Sequence, residues 1–259
     1  MLEYHETNDL ALSLRRQWGI DDYSPIDIFS LALEKIKNLT IIWMKMDKDI
    51  SGACSKNDGD SVVVINSIHS KGRQNFTLAH EIYHLLYDDS NNQFFCADDD
   101  NDEVEEEANN FASCLLMPMP ALREFKRENV REKWTIKNII KCEQWFAISH
   151  KSMLYRLRRE KDISLYDFER FKYGVKGNAL RLGYDLDLYE PSDENKQYYA
   201  VGHLIPLVEK IHSKGKISTG LKNEILNSNF RSDIVYDLKE DYFFDWNSCF
   251  CKGEGLFDW

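Results

Sequence analysis

His80, Glu81 and His84 lie close together in the segment LAHEIYHLL, residues 78–86. Apolar residues recur around them at helical spacing, and Thr77 reads as the N-cap of the helix that carries them. On a helix, side chains four apart leave the same face one turn apart. Two imidazoles placed this way grip one ion from one side. Zinc held by three protein ligands keeps a fourth position for water, and the metal lowers that water's pKa toward neutrality. Glu81, next to the first ligand, can take the water's proton during attack on a carbonyl and pass it to the leaving amine. The competing reading is an amphipathic core helix with two incidental histidines. A third ligand available downstream weighs against it.

That ligand is sought in the acidic start of a second predicted helix, Val104 to Leu116. Glu105, Glu106 and Glu107 precede Ala108-Asn109. Carboxylates in a first helical turn are favoured by the helix dipole alone, so only one need point inward. Glu105 lies four before Asn109 and shares its face. Asn109 can then orient a ligand histidine through its other ring nitrogen. Glu106 and Glu107 are the alternatives. The oxyanion formed during carbonyl attack needs a further donor, and Tyr83 and Tyr155 are the candidates.

Two stretches together, RQNFTLAHEIYHLLYD at 73–88 and EEEANNFASCLLMP at 105–118, resemble the ImmA/IrrE family of gluzincin-type metallopeptidases. The resemblance covers about residues 10 to 165 and is weaker at its ends. It implies zinc ligands at His80, His84 and Glu105, with Glu81 catalytic. It also implies a helical domain with a small sheet above the active-site helix. Members typically act on a partner helix-turn-helix transcriptional repressor, relieving repression during stress or mobile-element induction, and some belong to toxin–antitoxin-like pairs. The implied substrate is one protein cut in an exposed segment that docks as an extra strand on the sheet edge. The alternative is a non-proteolytic regulatory or toxin component that acts by protein binding.

The elements that must position these residues read as an α+β fold. It comprises a mostly helical metallopeptidase domain over 1–175, with a small antiparallel sheet, and a smaller helical or mixed C-terminal domain over 185–259. Helices are expected at 8–18, from Ser24-Pro25 to Ile36, from Pro120 to Glu128, at 136–146 and at 151–161. Strands are expected at 41–46 and 61–66, with a turn at Asn57-Asp58-Gly59-Asp60. Gly and Pro punctuate residues 174–196 and mark the boundary. Beyond it, helices are expected near 198–213 and 219–227.

Composition limits the functions. The 259 residues are 43% hydrophobic and carry a net charge of −11. No apolar run approaches the roughly 20 residues of a membrane span, and the N-terminus lacks a signal-like apolar stretch. A cytoplasmic protein is expected, with its six cysteines reduced. Cys249 and Cys251 lack a second pair at zinc-site spacing. The acidic balance opposes direct nucleic-acid binding. Residues 136–161 nonetheless resemble a helix-turn-helix carrying Lys151, Arg156, Arg158 and Arg159; the favoured reading is a helical hairpin that completes the core. The acidic run at 98–103 lacks the Gly and the Glu of a calcium loop and reads as a solvated loop. The tail aromatics, from Tyr236 to Trp259, read as core.

Overall fold

The computed structural model describes residues 4–88 and 103–236, together with the backbone of 93–97. The acidic run at 98–103, apart from Glu103, lies outside the described residues. So do the Cys96 side chain, Cys249, Cys251 and the tail aromatics beyond Tyr236. No described helix is long and apolar enough to cross a membrane.

The chain opens with α1 (Tyr4–Gln17) and α2 (Ile28–Lys35). The second helix starts later than its Ser-Pro signal, because Asp27 is the cap and accepts from the backbone of Phe29 and Ser30. Three strands follow, β1 (Leu39–Met44), β2 (Ile50–Asn57) and β3 (Asp60–Asn66). The turn at 57–60 joins β2 to β3, with Asp58 and Gly59 both at positive φ, as tight hairpins require. Next come α3 (Lys71–Tyr87), β4 (Gln93–Ala97) and α4 (Glu103–Leu116). Helices α5 (Met119–Asn129), α6 (Ile136–Phe146), α7 (His150–Arg159), α8 (Leu165–Phe171) and α9 (Val175–Arg181) lead through two short 3-10 turns to β5 (Tyr199–Gly202).

The α+β class holds, but the sheet is mixed rather than antiparallel. Its order is β4-β2-β3-β1-β5, and β1 pairs with β3 in parallel. The reason is local. After β1 the chain skips one position to lay down β2, and the tight hairpin returns β3 into the gap beside β1.

Helix α3 packs on β2 and β3 on one side and on α4 on the other, and α1 packs on α4. Hence Leu78, Ala79, Ile82, Tyr83 and Leu85 are all buried although they ring the helix, the pattern of a helix enclosed on every side. The helix begins at Ser70 instead of Thr77. Thr77 is a buried mid-helix residue, placed where β2 presses closest. Arg15, fully buried on α1, donates to the carbonyls of Leu115, Asp21 and Ser24. It thereby ties α1 to the C-terminal end of α4, where the carbonyls outrun the helix's own donors.

The two compact units divide between Gly202 and His203, just beyond the stretch at 174–196 expected to mark the boundary. Three features hold the intervening segment to the first unit. Lys71 N–H donates to the Glu190 carbonyl, Ser192 N–H donates to that of Ser67, and β5 pairs with β1. The second unit contains α10 (Leu204–Ser213), with Pro206 in its first turn, α11 (Thr219–Ser228), capped by Ser218, and α12 (Ser232–Val235).

Candidate metal centre

Helix α3 delivers His80 and His84 from successive turns, and the first turn of α4 delivers Glu105. The ligand atoms of the three lie within 4.8 Å of one another. The two Nε2 atoms are 3.1 Å apart, and Glu105 approaches them at 3.1 Å (His80) and 3.3 Å (His84). Ligands about 2.0–2.1 Å from a tetrahedral ion sit about 3.3 Å from one another by simple geometry. The observed separations match that edge, so the donor set fits a metal ion of this size and preference.

The other ring nitrogens are committed elsewhere. His80 Nδ1 donates to Asn109 Oδ1 at 3.1 Å, and His84 Nδ1 donates to Asp88 Oδ2 at 3.1 Å. Each partner fixes a tautomer that leaves the Nε2 lone pair facing inward. Asn109 was legible in the sequence. Asp88 was not singled out there, although its place four residues after His84 is itself a signal.

The Glu105 carboxylate is held in the ionised form that a ligand needs, whereas at His84 a proton and an ion compete for Nε2. Burial raises the Glu105 carboxyl, but its hydrogen bonds to His80 and His84 outweigh that and hold it at about 2. Burial lowers His84, and its bonds to Glu105 and Asp88 overcome this, leaving it above its ordinary value. Two hydrogen bonds separate Glu105 from the alternatives. Glu106 pairs with Arg159 at 2.9 Å at the surface, and Glu107 accepts from the Tyr83 hydroxyl.

Glu81 is fully buried beside the ligands. Burial and the nearby Glu81 charge push the Cys54 thiol on β2 up. Gly52 explains the close approach of the strand. A Cβ there would lie 2.5 Å from Thr77 Cγ2, 2.9 Å from the Val64 carbonyl oxygen and 3.0 Å from Glu81 Oε1. Gly52→Ala is therefore expected to push β2 off α3, cost about 1–3 kcal/mol and displace Glu81. Urea unfolding alongside turnover measures both effects.

The two candidate tyrosines part company. Tyr83 is buried, donates to Glu107 at 2.5 Å and packs against His84, Tyr87 and Phe111. That places its hydroxyl on α4 and not in the cleft, so the oxyanion assignment to Tyr83 is corrected. Tyr155 is 56% exposed on α7 and lines a cleft of about 1000 Å³ together with His80, Glu105 and Asn109.

Helix α7, joined to α6 by a tight turn, walls this cleft. Their turn is made by Ala147 at φ 51°, a left-handed cap usually given to glycine. Asn75 on α3 donates to the Ala147 carbonyl at 2.7 Å. Arg156 is buried and donates to Glu160 and Ser113, while Arg159 lies over the Tyr4 ring. Two of the four helix-turn-helix cations are thus engaged within the protein.

The hairpin is anchored by a buried ion pair. His150 Nδ1 donates to Glu143 at 3.0 Å, and its Nε2 donates to the Phe171 carbonyl at 2.9 Å. Only the doubly protonated ring donates to both. Burial lowers the His150 pKa, and Glu143 more than reverses this, leaving it raised. His150→Ala strands a carboxylate that is 0% exposed and is expected to cost about 3 kcal/mol in thermal or urea unfolding. A raised folded pKa stabilises fully below the unfolded value. The wild-type advantage over His150→Ala is therefore expected to shrink as pH rises through the raised His150 value, and to shrink again in acid, where Glu143, itself raised by burial, takes up a proton and is no longer a stranded charge.

The family described as the IrrE N-terminal-like domain, Peptidase_M78, matches residues 35–166, just over half of the chain. The chain belongs to this family. The Peptidase_M78 span contains His80, Glu81, His84, Glu105 and Tyr155, and it ends after α7. No curated protein matches the chain. A solved structure, a Mycobacterium tuberculosis transcriptional regulator, is similar at 14% identity and a TM-score of 0.41. The match covers 59% of this chain and 46% of that one, so the chain spans less than half the length of that protein.

Proposed function

We propose that this chain is a zinc-dependent endopeptidase that cuts a partner regulatory protein in the cytoplasm. The substrate class is a helix-turn-helix repressor or an antitoxin. One observation carries the reading: two imidazoles and a carboxylate at tetrahedral spacing, beside a buried Glu81 and open to a cleft.

His80, His84 and Glu105 would hold the ion, with Asn109 and Asp88 orienting the two rings. When bound, zinc supplies Lewis-acid polarisation of a carbonyl and acidifies water. Glu81 accepts the proton of the attacking water and returns it to the departing amine. Its burial keeps bulk water from competing for that proton. Tyr155, the candidate tyrosine that reaches the cleft, is assigned as hydrogen-bond donor to the oxyanion. The sheet offers an edge strand, β4, beside the β2 strand that touches Glu81, and an extended segment can add there. The repressor as substrate rests on the family resemblance.

The test is to incubate the zinc-loaded protein with the helix-turn-helix protein encoded beside it and to identify fragments by mass spectrometry. A single cut is expected, abolished by a chelator and restored by zinc. An intact repressor that stays bound to the chain would instead support action by contact alone.

A further inference from the structure

We propose that the cleft selects an acidic substrate segment, gripped by a basic row on α7. This deepens the peptidase reading and rests on it for which molecule enters. The cleft is lined by seven Lys or Arg side chains and by two Glu, in a chain whose net charge is −11. Pairing removes part of that excess. Arg156 is held by Glu160, Arg159 by Glu106 and Lys176 by Glu190. Lys151, Arg158 and Lys161 have no carboxylate partner among the described residues, and all three are exposed.

Their placement is regular. Lys151 and Arg158 are seven residues apart on one helix, hence on one face and about 10 Å apart along its axis. Tyr155 lies between them on that face, half-exposed, and Lys161 follows the helix end. The row lines the same cleft as His80 and Glu105. An extended peptide advances about 3.3 Å per residue. Acidic side chains two or four positions apart on one side of such a peptide therefore fall within reach of these two long cations. Tyr155 offers a flat surface to the backbone between them.

A nucleic acid fits less well. Duplex binders commonly neutralise about six to ten phosphates, and three unpaired cations on an acidic protein fall short of that.

The test reads binding, so it stands apart from whether the protein cuts. Full-length zinc-loaded protein is titrated into a labelled peptide of about twelve residues with Glu at alternate positions. Its counterpart carries Gln at those positions. The acidic peptide is expected to bind about tenfold tighter at low salt. That preference is expected to vanish in Lys151→Glu/Arg158→Glu and to survive in Lys151→Arg/Arg158→Lys, with circular dichroism confirming the fold of both variants. Equal affinity for the two peptides would overturn the proposal, as would a preference untouched by charge reversal. A single-stranded oligonucleotide of equal charge binding more tightly than the acidic peptide would overturn it in favour of nucleic acid. Cleavage is read separately on the partner protein: selective peptide binding beside an uncut partner counts against the peptidase reading and leaves the docking row standing.

Discussion

Glu81→Gln is expected to lower turnover of the partner protein by about a hundred- to ten-thousandfold, the usual contribution of a positioned acid–base group. Metal content and fold are expected to stay. The amide has nearly the volume of the carboxylate, so the approach of β2 at Gly52 is unaltered. It also removes a buried charge, which relieves desolvation. The variant should therefore melt no lower than wild type while failing to cut. Single-turnover cleavage beside differential scanning calorimetry separates the two quantities. Unchanged cleavage would sink the peptidase reading.

The second large effect concerns His84. It is almost fully buried, and it links Asp88 on one side to His80 and Glu105 on the other. His84→Ala removes a third of the protein donor set. Elemental analysis is expected to find about one zinc per wild-type chain, as for a single three-ligand site, and almost none in the variant. Asp88→Asn tests the supporting layer. A weakened hold on Nδ1 is expected to reduce metal affinity by about ten- to a hundredfold without abolishing it. Wild-type protein that stays metal-free after dialysis against zinc would refute the site, and no adjustment of the partner would rescue it.

What could be read from the sequence follows from what helices make periodic. His80 and His84, and Glu105 and Asn109, are spaced by four residues. Polar side chains that recur on an otherwise buried face are conspicuous, so the candidate ligands and Asn109 stood out. The strand that covers Glu81 did not. Its sequence, ISGACSKN, lacks the alternation of apolar and polar residues that marks a half-buried strand. Its decisive residue is a glycine, whose meaning lies in what touches it. The parallel pairing of β1 with β3 depends on β2 being laid down one position away from β1, which no residue of the three strands marks. Strand β5 was hidden for a similar reason: its four residues run almost directly into α10 and read as the front of one longer helix. Tyr83 shows the same limit for a single side chain. Helical position placed it near His84, but only packing against α4 decided that its hydroxyl turns to Glu107.

The donor set draws on two helices, α3 and α4, that are joined through residues 88–102. An ion held there is a crosslink between them, present only while metal is supplied. By mass action, free ion at about a thousand times its dissociation constant adds about 4 kcal/mol to the folded state, a sizeable share of a domain's typical stability. Starved of metal, the chain would open more often and be degraded faster. The amount of this protein in a cell would then track the metal supply, quite apart from any effect on its chemistry.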